Sequence, residues 1–389
     1  MTPVLFRGWE SVEGRWPDVA TVVDHVGVPQ LVVTRHALVR QLLTDPATFR
    51  PDNALDAVTP VPVAALRLLA GHRFRLPPTL ANNSGASHPE IRGIVADALH
   101  PNRVTTQQPW LTDLVRRRVA RLAAALDAGE PVDLYAELAA DLPLLVLARL
   151  VELPDAPVGA VKDFARAALE LFWAPLAEDR QLALAAEVGR FHTVLRAFAA
   201  TGGGLAARLR DAGHSPDVVV GALFFLLVAG QETTSQFLTL LLHRLAGEPS
   251  VRAGLRAGEI PVADVVEEGL RLEPPIVTWR RVAAVDTTLG STPVAAGTSI
   301  VAWLARAGRD PEVVAAPSEF RPGQRGSRRH LAFGAGAHRC VGAQLARMEA
   351  AVVVAEAAPL LDGVTVVRPP WCPDNLTFRM PDAFVVRRA

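Results

Sequence analysis

Sulfur is scarce in this sequence: 389 residues hold two cysteines, Cys340 and Cys372. Two thiols in so long a chain make no disulfide framework and fit a reducing compartment, so the expected location is the cytoplasm. Net charge is missing as well, 40 basic residues standing against 40 acidic ones. No overall field therefore points to nucleic acid or to an anionic membrane, and any basic partner surface must be local. Lys162 is the only lysine, and the arginine-rich usage marks GC-rich coding DNA rather than a chemistry. The longest apolar run, residues 218–230, is shorter than the ~20 needed to span a bilayer and is interrupted by Gln231 and Glu232. Residues 1–8 lack the basic and apolar regions of a signal peptide. No repeat or low-complexity linker divides the chain, so residues 1–389 are read as one domain.

Half of the residues are hydrophobic, enough for a large core. The first 60 or so residues contain β-favouring pieces such as 30–34, followed by a helical pattern at 37–43. From about Pro109 to Leu245 apolar residues recur at helical spacing, through 111–125, 134–147, 161–172 and 182–198. After Glu267 come short β-favouring pieces at 282–285 and 298–301, a loop rich in glycine and arginine, and a helix over 341–358 stopped by Pro359. The expected fold class is mainly α with a minor β region.

Residues 216–245 are apolar all round, as in a helix that crosses a protein's interior. In the middle stands AGQETT, residues 229–234. A buried acid and alcohol need partners or a cavity, because an unpaired buried polar group costs roughly 1–3 kcal/mol. Gly230 and the threonines weaken the helix there, and a kink would make room for a ligand. Ala229 and Thr233 share one face. The plainer alternative is a buried helix whose threonines bond back to preceding carbonyls.

The strongest signal is FGAGAHRCVG at 333–342, followed directly by a helical pattern. A cysteine before a helix has free amides and the positive dipole end nearby, which is expected to stabilise its thiolate for metal binding. The flanking glycines let a planar macrocycle lie against the chain. Phe333 is placed to pack beside the sulfur, and His338 and Arg339 to meet anionic groups.

The segment resembles the cysteine-loop signature of the cytochrome P450 family, F-x-x-G-x-H-x-C-x-G, at every fixed position, Gly342 included. The resemblance implies the cytochrome P450 fold, haem b held with Cys340 as the iron ligand, and thiolate chemistry that favours O–O cleavage. Other landmarks follow in order. The segment 229–234 looks like the family's central-helix motif, with Glu232 and Thr233 as the acid and alcohol that deliver protons during dioxygen activation and Ala229 against the haem. Glu268 and Arg271 match the E-x-x-R helix, a structural pair bracing the cysteine loop. His88 and Arg92 match H-x-x-x-R, and Arg281 the propionate-binding arginine, so that with His338 they supply donors for two carboxylates. Two departures stand out. The segment after Phe320 carries one extra residue, which leaves open whether Arg325 completes the bracing cluster, and the usual N-R-D-P reads GRDP at 308–311.

With no reductase segment after Ala389, the implied electron source is NAD(P)H through a separate ferredoxin and its reductase, docking on arginines 328, 329, 339 and 347; the other partners are dioxygen and a small-molecule substrate, and the expected state is a monomer. Two rivals were weighed: a catalytically silent member that only binds a carrier assembly, and a zinc or thiol-hydrolase site at His338 and Cys340, which falls short of zinc's four ligands. For substrate, Phe224, Phe225, Val228, Val277 and Phe378 are expected to line an apolar pocket, together with the stretches 64–86, 171–173 and 276–279. The segments 49–60 and 76–83 resemble actinobacterial members that couple tryptophan-containing cyclic dipeptides, which makes oxidative coupling the leading expectation. Regioselective hydroxylation of a polyketide, macrolide or terpenoid is the alternative.

Overall fold

The computed structural model describes residues 4–12, 14–153 and 158–389; the first three residues of the N-terminal stretch read above lie outside that set. Helices dominate, and the strands form three small sheets. The main sheet orders its five strands Val19–Val23, Pro29–Val33, Ser299–Trp303, Thr278–Ala283 and Phe49–Arg50. Only the pairing of Leu31 with Ile300 and its neighbours is parallel, so the N-terminal hairpin joins a hairpin contributed some 270 residues later. The expected pieces at 30–34 and 298–301 lie close to these strands. The piece at 282–285 overlaps the end of Thr278–Ala283, where Val282 and Ala283 pair with Arg50 and Phe49, and Ala284 and Val285 lie beyond the strand.

The helical body matches its pattern with two corrections. Pro109, taken as the beginning of the body, stands inside a 27-residue helix, Pro101–Asp127, that starts on a Pro at its first turn and carries a second within. The pattern over 134–147 is broken in two, a π-turn at Tyr135–Ala139 and a helix Leu142–Val151, with Asp141 between them held by Arg118. The last helix runs Ala343–Ala357, packed along Pro101–Asp127.

The central helix follows its sequence closely. It comprises Pro216–Leu227, a π-turn Val228–Glu232 and Thr233–Ala246, so the hydrogen-bond ladder opens at AGQETT. At Gly230 a Cβ would stand 2.9 Å from Leu147, so glycine is what lets that side chain press against the opened turn. Taken whole, Pro216–Ala246 is long and apolar enough to cross a membrane, which corrects the count made on the apolar run alone, but 72% of its most apolar window is buried within the protein.

Glu268 and Arg271 lie on the helix Val262–Leu272, and both are fully enclosed. Their side chains meet in two parallel bonds of 2.9 and 2.7 Å. Arg271 also donates to the carbonyls of Gly308, Pro317 and Glu319, while Glu268 accepts from the Arg321 amide and the Gln324 side chain at 2.6 Å. The question left open by the extra residue is answered: Gln324 completes the cluster and Arg325 is exposed. Because breaking a buried pair strands a charge at a cost of about 3–5 kcal/mol, Glu268→Ala should sharply reduce folded protein. Gln324→Ala removes one bond to a charge, and a urea-unfolding measurement should find it about 1.5–3 kcal/mol less stable.

Candidate functional site: a cysteine at the floor of an apolar cavity

The cysteine loop is a turn built on two glycines. Gly334 and Gly336 have φ of +66° and +69°, and a Cβ on Gly336 would stand 2.7 Å from the Leu43 carbonyl. Only glycine allows that turn to press against the helix His36–Thr44. The Cys340 amide then donates to the Phe333 carbonyl at 2.9 Å, which closes the loop and sets the sulfur toward the interior.

Above it opens a cavity of about 1310 Å³, counted with the open solvent at its mouth. Its floor is Phe333, Cys340, Gly342 and Leu345; its roof is Phe225, Ala229, Gly230, Thr233 and Thr234 from the opened central helix. Arg92, Arg281, His338 and Arg339 stand on one wall. Leu80, Ile276 and Trp279 complete the rest, so polar groups are confined to one side and to the two threonines.

Cys340 is open to the cavity yet deep in the molecule. Burial pushes its thiol above the ordinary value, against the Gly342 amide and the charges of Arg92, Arg339 and Arg347, which lower it. The expected help from a free amide is present at Gly342, but the helix begins only at Ala343 and desolvation outweighs it. A metal ion bound to the sulfur removes that proton outright.

The cationic wall lacks anions. Arg281 is buried, burial lowers it to about 10, and its Nε has no partner. His338 is lowered to about 4 by burial, its Nε2 set 3.0 Å from the Asn83 carbonyl and its Nδ1 unpartnered. Its ring stacks on His88 with centroids 4.3 Å apart, and His88 Nε2 is likewise unpartnered.

A model of the cytochrome P450 family matches residues 207–357. Erythromycin C-12 hydroxylase of Saccharopolyspora erythraea is 29% identical over 86% of this chain and 83% of its own length. Cytochrome P450-SOY of Streptomyces griseus is 30% identical over 92% of this chain and 84% of its own. The chain belongs to the cytochrome P450 family. Among solved structures, cytochrome P450 CREJ in complex with (4-ethylphenyl) dihydrogen phosphate superposes with a TM-score of 0.90 over 99% of this chain and 97% of that one, at 24% identity, a likeness of fold.

Membership of the cytochrome P450 family implies haem iron, and the cavity fits it. The open sulfur offers the ligand, Gly342 has no Cβ to fill the space beside it, and Arg281, whose Nε has no partner, stands with Arg92 on the wall where an anionic group would offset a costly buried cation. Among the described residues no group of three or more His, Cys, Asp or Glu is arranged to hold a metal ion, which leaves the zinc rival without ligands.

Several expected residues stand elsewhere. Glu232 is fully buried on the far side of the π-turn, 3.7 Å from Lys162 and 3.6 Å from Arg166, with Gln236 beside it. His88 reaches the wall only through His338. Phe224 and Val228 point away from the cavity, Phe224 edge-on to Phe164 at 4.9 Å, because the helical turn that presents Phe225 and Ala229 turns their neighbours into the core. Val277 faces the N-terminal segment, 3.1 Å from where a Cβ on Gly8 would be. Phe378 forms a second layer, between Trp173 at 5.0 Å and Trp279 at 6.4 Å. Leu43, Leu99, Leu147 and Leu304 on the wall were missed, since a leucine in a helical stripe carries no signal that separates lining from core.

Cys372 is buried and absent from the cavity wall. Cys340→Ser is therefore expected to abolish the thiolate-type absorption of the reduced, carbon monoxide-bound protein, and Cys372→Ser to leave it unchanged. The opposite pattern would assign the ligand to the wrong sulfur.

Proposed function

We propose that this cytochrome P450 monooxygenase binds haem b through Cys340 and oxidises a neutral, apolar natural product carrying an aromatic ring, with oxidative coupling of a tryptophan-containing cyclic dipeptide as the leading case. The observation that carries the substrate class is the wall of Phe225, Ile276 and Trp279, backed by Phe378, with no carboxylate on it. Edge-to-face and stacked aromatic contacts add roughly 0.5–1.5 kcal/mol each to area burial, which suits an indole. Hydroxylation of a macrolide is the second reading, supported by the erythromycin hydroxylase relative.

Bound in the cavity, haem iron supplies the activation of dioxygen. The chain's own residues divide the remaining work. Arg92, Arg281 and His338 take the propionates, His88 backs His338, and Ala229, Phe333 and Gly342 pack against the macrocycle. Phe225 and Trp279 hold substrate and exclude water. The Thr233 hydroxyl donates to the Ala229 carbonyl four residues back, as the plainer reading had it, and it also faces the cavity, so it holds a proton at the point where the helix is open. Glu232, next in sequence, is the acid of the relay; it is buried on the other side of the π-turn, 3.7 Å from Lys162 and 3.6 Å from Arg166. Electrons come from NAD(P)H through a separate ferredoxin and reductase, and residues 1–389 act as a single, monomeric domain in the cytoplasm.

Thr233→Val keeps the side-chain shape and deletes the hydroxyl. Haem loading and substrate affinity should survive, while peroxide formed per NAD(P)H rises and product falls by a matching amount. Unchanged coupling would move the proton relay to Thr234 or Glu232. For substrate, tryptophan-containing cyclic dipeptides should shift the haem absorption of the oxidised protein in a saturable titration; inert spectra with these and a response to macrolides would select the second reading.

A further inference from the structure

Arg347 was read from the sequence as part of a basic docking patch, but the fold commits it inward. Its Nε lies 2.5 Å from Glu267 Oε1 and its Nη2 3.3 Å from Oε2, and its guanidinium stacks 4.5 Å above the centroid of Phe333. His330 holds the other side of Glu267 at 3.2 Å. The Ala332 amide donates to His330 Nδ1, so the ring's proton is on Nε2 and points at the carboxylate. Glu267 and His330 are both enclosed, at 5% and 2% side-chain exposure, and Arg347 is at 27%. Burial raises the Glu267 carboxyl, yet His330 and Arg347 hold it down at about 2, so it is ionised throughout the working range.

The ion pair is thus oriented. Its positive end lies on the face of Phe333, the ring that lines the cavity and whose carbonyl accepts the Cys340 amide, and its negative end lies behind. The connection is short: the guanidinium lies 4.5 Å from the Phe333 ring centroid, and the Phe333 carbonyl accepts the Cys340 amide at 2.9 Å. We infer that Arg347, positioned by Glu267 and His330 and stacked on Phe333, is a cation that, beside Arg92 and Arg339, raises the electron affinity of the thiolate-ligated iron. One electron from the redox partner adds one negative charge to the iron and its sulfur, and a fixed cation beside them favours the reduced state. Glu267 offsets part of that charge, but the stacking holds the guanidinium against Phe333 with the carboxylate on its other side, so the positive end of the pair faces the cavity wall. Glu267 and His330 are positioning residues: they act on the iron only through Arg347.

The test is a dye-mediated spectroelectrochemical titration of the haem-loaded protein. Arg347→Gln keeps donors for Glu267 and removes the charge, and it should make reduction about tenfold less favourable, equivalent to ~59 mV for a one-electron couple. Arg347→Lys restores the charge and should recover most of that shift. The potential is read only from loaded molecules, so partial loading leaves the result interpretable. An unchanged potential in Arg347→Gln overturns the inference, and equal shifts in both variants overturn it in favour of a packing role. The inference rests on the haem-thiolate reading, but the two fail differently: a wild-type protein without the thiolate-type carbon monoxide spectrum sinks that reading, whereas a normal spectrum with unmoved potentials sinks only this one.

Discussion

A carboxylate sealed from water is tolerable only if its lone pairs are used, and Glu268 meets that condition with groups drawn from two stretches of chain. Arg271 comes from its own helix, and the Arg321 amide and Gln324 come from the segment that leads to the cysteine loop. Arg271 in turn gathers three carbonyls of residues 308–319. A stretch with little regular structure is thereby fixed in place, and the loop carrying Cys340 starts from a fixed point. Buried charge is doing here what strands and helices do elsewhere, at the expense of tolerance: each partner removed leaves the others stranded.

The same logic, inverted, marks the cavity. Around Glu268 the polar atoms are satisfied by protein. On the cationic wall they are not, Arg281 and the stacked histidines keeping nitrogens without partners. Protein interiors rarely leave such groups orphaned, and a buried arginine with no carboxylate beside it suits an anionic guest. Opposite them the wall is aromatic and aliphatic. One cavity therefore has two chemistries, a charged side that holds a permanent guest and an apolar side that admits a transient one.

How much of this was legible in the sequence depended on whether a residue's role is fixed by its neighbours along the chain or by its neighbours across the fold. The cysteine loop was readable because its glycines answer a local demand: Gly336 needs a positive φ and a bare Cα, and no other residue meets both. The opening at AGQETT was readable because glycine and threonine weaken a helix wherever it runs. The pocket wall was not. Phe224 and Phe225, or Ile276 and Val277, differ by one position, and which of each pair faces the cavity is set by a helical phase and a strand edge that composition does not reveal. Gln324 was missed in favour of Arg325 because an inserted residue shifts register, and the sequence shows the insertion without showing where the chain absorbs it.

The two π-turns, Tyr135–Ala139 and Val228–Glu232, carry a further consequence. A π-turn holds one residue more than an α-turn in the same axial length, and since each residue of an α-helix advances roughly 100°, it sets the downstream half of the central helix about a quarter-turn out of phase with the upstream half. The two halves then present different faces to their surroundings, with the first turn of the downstream half, Thr233 and Thr234, meeting the cavity and the rest packing into the core. A deletion of one residue between 228 and 232 would restore an unbroken ladder and still be a disaster, because every side chain from Thr233 to Ala246 would rotate away from the partners it now meets. The helix is geometrically two helices sharing one axis, and the chain's length at that point is as much a part of the site as any side chain in it.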